Sequence, residues 1–297
     1  MQTSLLEYTE TNEEWSRVRV PCGDWEQDFA GWELCQLQEQ SVAGFPDWTE
    51  IESTEIFCPP GSFLMGSPEK EEEDENIPEE QPQRKVSLSR GFWAMTTPVS
   101  MEMYGEFMGD ELLEYVEESP FEPETLPATY MSWFDMLRFC NKLSESAGLT
   151  PAYRIEGEEV RWEQEADGYR LPTEAEWEYM CRAGSGAERY GDIEEIAWYD
   201  ENSDGELHPA EKKNPNAWNL HDTLGGVWEA CFDSWEEKAY KTLPDIDPLG
   251  DGKGGCEVVY RGGCWNEHED CARAAFRVGA EASSGYATHG FRIVRTA

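Results

Sequence analysis

The chain has 297 residues and a formal charge of −40, from 63 acids against 23 bases. That balance excludes a nucleic-acid partner, whose phosphate backbone needs clustered lysine and arginine to release counterions; it suits a solvated acidic surface, a basic partner or divalent cations. With 13 Trp, 12 Tyr and 12 Phe in a 39% hydrophobic composition, the chain can build a substantial core and is not a disordered one.

MQTSLLEYTETNEEW, at the start, has neither a basic opening nor an apolar run, so no secretory signal is expected. Nor does any stretch reach the ~18 apolar residues of a membrane span. The nine cysteines are odd in number, scattered and free of any CxxC pair, which predicts reduced thiols and a cytoplasmic protein rather than a disulfide framework.

Residues 1–55 read as an extension packing on the main body, with a short alternating stretch at Val18 and Val20 and a Cys-Gly-Asp turn. From Ile56, IFCPPGSFLMGS predicts two strands about a Pro-Pro-Gly turn, a hairpin signal. Residues 69–80, with eight acids and one lysine, predict a solvated loop. RKVSLSRGFWAM alternates again, placing Val86 and Leu88 on one face, and Ser100 caps a short helix. Two longer helices follow. Ser132 with Asp135 opens one that buries Trp133, Met136, Leu137, Cys140 and Leu143, and Thr173 with Glu176 forms a capping box for one that buries Trp177, Met180 and Cys181. Cys140 and Cys181 are therefore expected as core thiols. Beyond residue 190, Gly, Pro, Asn, Asp and Trp dominate and predict loops and short strands.

Read in order, GSFLMGS, PVS, MSWFDMLRFCNKLS, PAYRI, GYRLPTEAEWEYMCRAG, AWYDENS, KKNPNAWNLHDTLGGVWE, YRGGCW and GFRIVR resemble the formylglycine-generating-enzyme-like family, the sulfatase-modifying-factor domain. The resemblance spans residues 56–296. It implies an α+β, C-type-lectin-like fold with little regular secondary structure, in a family hosting oxidases, iron-dependent sulfoxide synthases, hypervariable binding proteins and non-catalytic modules.

Each of these makes a demand on residues. The oxidases hold copper(I) with two cysteines, four and nine residues after the second glycine of the Gly-Gly pair; counted from Gly263, those positions are Glu267 and Ala272. His268 matches the family's histidine, but both thiols are missing, and Ala230 replaces a usual tryptophan. The compact set Cys264, His268 and Cys271 has donors that zinc accepts, although Cys264 packed under the loop and Cys271 in the core beside a following strand is the simpler expectation. The histidines 208, 221, 268 and 289 show no His-x3-His pair for iron. Copper and iron are thus not expected.

A structural calcium is. In LGGVWEA the resemblance maps its ligands to the carbonyls of Leu224, Gly225 and Val227 and the carboxylate of Glu229, with Gly226 in place of an asparagine; the alternative is a Glu229 that only caps backbone amides. Weaker possibilities are Asn202 with Asp204, and the turn-rich loop at residues 245–255, which also reads as plain surface.

The resulting expectation is a non-catalytic binding or regulatory module that meets a protein partner, plausibly basic, or a small ligand through Trp265, Asn266, Glu267, His268 and Arg273. No membrane contact is expected. The alternative is a metal-dependent enzyme of the same family using His268 and Glu267 as an acid/base pair. A hypervariable receptor would place many Asn and Tyr between RGG and GFR, where this chain has one of each.

Overall fold

The computed structural model describes residues 55–69, 77–109, 119–122, 125–250 and 256–297. The extension expected over residues 1–55 lies outside these apart from Glu55, as do residues 70–76 of the acidic run and 251–255 of the turn-rich loop. Strands β1 (Glu55–Cys58), β2 (Gly61–Met65), β3 (Arg84–Leu88) and β4 (Phe92–Met95) precede helices α1 (Met101–Met108) and α2 (Trp133–Ser146). Then come β5 (Tyr153–Glu156), β6 (Glu159–Trp162), β7 (Tyr169–Arg170), α3 (Glu174–Arg182) and the single turn α4 (Ile193–Ile196). The chain closes with β8 (Trp228–Ser234), β9 (Glu257–Arg261), β10 (Arg277–Glu281), β11 (His289–Gly290) and β12 (Val294–Thr296).

Two four-stranded sheets organise the molecule, ordered β1-β4-β12-β7 and β10-β9-β8-β11. The predicted β1–β2 hairpin does not form: β1 pairs antiparallel with β4, and β2 with β3. Pro59 and Pro60 fix φ near −65°, whereas two-residue hairpin turns need positive φ. β2 is thereby sent into a separate two-stranded ribbon.

The helices form as their caps dictate. Ser100 Oγ accepts from Met103 N–H, and Ser132 and Thr173 each complete a reciprocal box, with Asp135 and Glu176. Trp133, Met136, Leu137, Cys140 and Leu143 of α2 and Trp177, Met180 and Cys181 of α3 are all buried, as their spacing requires. α2 supplies one apolar core with the β8–β9 sheet, and α3 supplies the other with β3, β4 and the loops around Leu220.

What the periodicity did not disclose is the charge inside. Glu174 and Glu178 of α3 are 1% and 0% exposed. The Arg277 guanidinium donates to both oxygens of Glu174 at 2.6 and 2.8 Å, and Tyr240 adds a third bond at 3.0 Å. Glu178 accepts from Gly66 N–H and Arg182 Nε, both at 2.8 Å, and from Arg261. Burial alone would raise the Glu174 carboxyl; Arg277 and Arg261 outweigh it and hold it below the usual range. These ion pairs tie α3 to β9, β10 and the turn after β2. Buried pairs of this kind lose much of their Coulombic gain to desolvation but fix register.

The second half follows the expectation in part. Residues 197–227 contain neither helix nor strand, yet the β10-β9-β8-β11 sheet is drawn wholly from residues after 227.

Candidate functional site

The Gly-Gly pair sets the geometry of the loop chosen from sequence. Gly262 and Gly263 have φ of +97° and +80°, the left-handed region that side chains resist. A β-carbon on Gly263 would lie 3.0 Å from the carbonyl carbon of Cys271, because the loop turns back on itself there. Gly225 N–H donates to Gly262 C=O at 2.8 Å and Trp265 N–H to Gly226 C=O at 2.9 Å. The two segments singled out in sequence, residues 224–229 and 263–273, are thus hydrogen-bonded neighbours. A third, residues 200–204, joins them: Asp200 N–H donates to Glu267 C=O at 3.1 Å, and Ser203 Oγ to Trp265 C=O at 2.8 Å.

On this frame Asn266, Glu267 and His268 are exposed and Trp265 is half-buried, its indole N–H buried without a partner. His268 caps the short 3-10 turn Glu269–Cys271, accepting from Asp270 N–H at 3.3 Å. Arg273 is not part of that surface. Its guanidinium makes a bidentate pair with the buried Glu80 at 2.8 and 3.0 Å, and its Nε donates to Asp270 C=O at 2.7 Å. Sequence reasoning placed Arg273 among ligand contacts; the structure spends it on clamping residues 78–80 to the loop. The acidic run hid the signal, because Glu80 looked like one more solvated acid.

The thiols are equally occupied with structure. Glu267 and Ala272 stand in the family's cysteine positions, one exposed and one buried. Cys264 is buried, donates to Asn266 Oδ1 at 3.1 Å, and is pushed up by burial to about 12. Cys271 is half-buried, not in the core, and the strand expected beside it begins only at Arg277; burial followed by the Glu267 charge raises its thiol to about 11. Copper(I) needs a pair of thiolates, and this donor set does not fit it.

The histidines do not assemble either. His208 stacks on Trp198 with ring centroids 3.7 Å apart, and His221 Nδ1 lies 3.1 Å from Lys213 C=O. His289 packs against Tyr260 with burial lowering it to about 4, and His268 faces solvent. Among the described residues no three His, Cys, Asp or Glu are grouped to hold a metal. The calcium expectation meets a specific obstacle at Glu229. This carboxylate is 0% exposed and already accepts from Trp177 Nε1 at 2.8 Å and from Arg292 Nε and Nη2 at 3.1 and 2.7 Å. The Arg292 guanidinium already neutralises it, and a carboxylate so engaged does not fit the role of a calcium ligand there. Leu224 and Val227 are buried beside it, and Gly225 is pressed against the Trp198 backbone. Asn202 is likewise used internally, accepting from Tyr199 N–H and donating to Ala197 C=O.

Comparison with known proteins agrees with this frame. Residues 44–297 match the sulfatase-modifying factor enzyme 1-like domain. Among similar proteins, the "Chaperone protein LppX" of Paenibacillus barcinonensis is 24% identical over 250 residues, covering 72% of this chain and 82% of that protein. A formylglycine-generating enzyme of Streptomyces coelicolor is 37% identical over 141 residues, covering 39% of this chain and 42% of the enzyme. The solved structure of Treponema denticola variable protein 1 superposes with a TM-score of 0.74 at 24% identity, over 83% of this chain and 96% of that one, which shows a shared fold. The α+β frame, the Gly-Gly turn and the match over residues 44–297 together place the chain in the sulfatase-modifying-factor family, as a member without the paired catalytic cysteines.

Proposed function

We propose that this protein is a non-catalytic binding or regulatory module, recognising a partner protein or small ligand through the loop surface of Trp265, Asn266, Glu267 and His268. One observation carries the reading: the loop keeps the family's frame, held by three hydrogen-bonded segments, while Glu267 and Ala272 occupy the positions of the reactive thiols. A rigid scaffold presenting exposed polar loop residues is where recognition concentrates. The net charge of −40 favours a basic partner. Seven free cysteines among the described residues support a reducing, cytoplasmic setting. No described helix is long and apolar enough to cross a membrane.

The test has two arms. Elemental analysis of the purified chain, and of the chain incubated with Cu(I), gives no stoichiometric copper or iron; retention of either at one per chain overturns the reading. A pull-down at raised salt, comparing the chain with its Glu267→Lys/His268→Ala variant, retains a partner only with the unaltered loop. A partner indifferent to those substitutions moves the recognition surface elsewhere.

A further inference from the structure

Strand β10 is the outer strand of its sheet. Its register against β9 pairs Arg277 with Arg261, Gly279 with Val259 and Glu281 with Glu257. Just beyond it, Ala282 N–H donates to Cys256 C=O at 3.1 Å, and on the far side of β9, Trp235 N–H donates to Glu257 C=O at 3.0 Å. Antiparallel alternation then turns the backbone of Val278 and Ala280 toward β9 and that of Arg277, Gly279 and Glu281 outward. The Glu281 carbonyl is taken by Ser284 N–H at 3.2 Å. Among the described residues, no backbone group outside the sheet meets the N–H or C=O of Arg277 or Gly279.

Along this open edge runs a groove of about 370 Å³, lined by Ile77, Glu79, Trp235 and residues 276–279. It is lined on both faces of β10: Val278 packs toward the core of α2, and on the other face Trp235, just past β8, packs toward the core of α3. The groove therefore follows the strand's edge. Gly279 shapes it, because the Trp235 ring lies against its α-carbon where any side chain would overlap. Among the described residues the result is an unpaired edge with an aromatic wall, the feature that natural sheets otherwise cover or blunt.

Charge selects what can pair there. The Arg277 guanidinium is spent on Glu174 and stacks over Trp235, 4.5 Å from the ring centroid, so it presents no free positive charge. Glu79 lines the groove, while Glu236, Glu237, Glu257 and Glu281 are exposed in the adjoining segments, against Lys238 and Lys241. A second copy, at −40, is repelled, and residues 1–54, with twelve acids and two arginines, carry the same sign of charge. We infer that the β10 edge receives an extended, basic segment of a partner protein as an added strand. Backbone bonds to Arg277 and Gly279 supply the pairing, alternate apolar side chains pack on the face of Phe276 and Val278, and lysine or arginine between them lies on the Trp235 face beside Glu79 and Glu281. This surface is separate from the Trp265–His268 loop and stands without it.

The probe is a synthetic octapeptide alternating valine and lysine, with a valine–glutamate octapeptide as control, added to the full chain. Hydrogen exchange across residues 277–281 is expected to slow with the basic peptide alone. Its affinity should fall on the order of tenfold in the Glu79→Lys/Glu281→Lys variant, which leaves the buried pairs intact. Unchanged exchange at those residues overturns the inference, as does equal binding of both peptides. So does protection of the edge before any peptide is added: if it depends on protein concentration, a second copy fills the groove, and if not, the chain covers its own edge.

Discussion

Substituting Glu229 separates an internal ion pair from a metal site. Glu229→Ala removes the partner of a guanidinium that is itself 0% exposed, leaving Arg292 with only the carbonyls of Met95 and His221, at 2.9 and 2.6 Å. Stranding one member of a buried pair costs about 3–5 kcal/mol. The Trp177 indole N–H also loses its acceptor, adding roughly 1 kcal/mol or more. Against a typical stability of about 5–15 kcal/mol this is a large fraction, and it corresponds to a fall in melting temperature of roughly 10 °C for a chain of this size. Urea unfolding followed by tryptophan fluorescence measures it. The double variant Glu229→Leu/Arg292→Met, which removes both charges, should recover most of the loss. The competing account makes opposite demands: if Glu229 ligates calcium, chelator dialysis destabilises the unaltered chain and Glu229→Ala abolishes that response. The pairing argument expects chelation to leave the melting temperature unchanged, and a calcium-dependent shift lost in Glu229→Ala would refute it.

Three further outcomes can be checked. Gly225→Ala should destabilise more than Gly226→Ala: both have φ above +70°, but only at Gly225 would a β-carbon overlap the Trp198 backbone, while Gly226 has nothing within 4 Å; denaturation midpoints compare them. At pH 8, Cys264 should react with iodoacetamide far more slowly than the exposed Cys256, since a thiol raised to about 12 is about one part in ten thousand thiolate there, and peptide mass mapping would show comparable labelling if the site were a reactive one. Asp233 is raised to about 7 by burial and by the nearby Glu174, although it accepts backbone N–H bonds from Glu174 and Gly250. A folded value above the unfolded ~3.9 means the native state binds the proton more tightly, so this group's contribution to stability is fully present below pH ~4 and is lost as pH rises through about 7. Between pH 5 and 7 the unaltered chain should therefore lose stability relative to Asp233→Asn, and parallel curves for the two would remove Asp233 as the cause.

How much of this was legible in the sequence depends on the physical kind of signal. Helices α2 and α3 were, because a capping box is local and an apolar stripe has a period: Ser132 with Asp135 and Thr173 with Glu176 sit three residues apart and need no tertiary information. The partner of β1 was not, since a Pro-Pro-Gly link looks like a turn whether or not its strands pair, and β4, the true partner, lies beyond two other strands. The loop frame came through register counted from Gly263, which correctly emptied the thiol positions. What it did not show is that Arg273 and Glu229 pair with charged partners inside the fold, and for a shared reason. A charged residue read from sequence defaults to solvent or ligand, and only the fold reveals that Glu80, Glu174, Glu178 and Glu229 face arginines inside it.

That division alters what the −40 charge means. The acids most tightly tied to arginines are internal and help to fix α3, the loop after Gly263 and the C-terminal GFR segment in place. Because these pairs are internally neutralised, they add little to the external field. The field at the surface comes from the exposed acids instead, and along the β10 edge Glu236, Glu237, Glu257 and Glu281, with the half-buried Glu79, stand beside an arginine already spent on Glu174. The buried arginines are thus matched by carboxylates within the fold, and the acids left at the surface set the charge that the β10 edge presents.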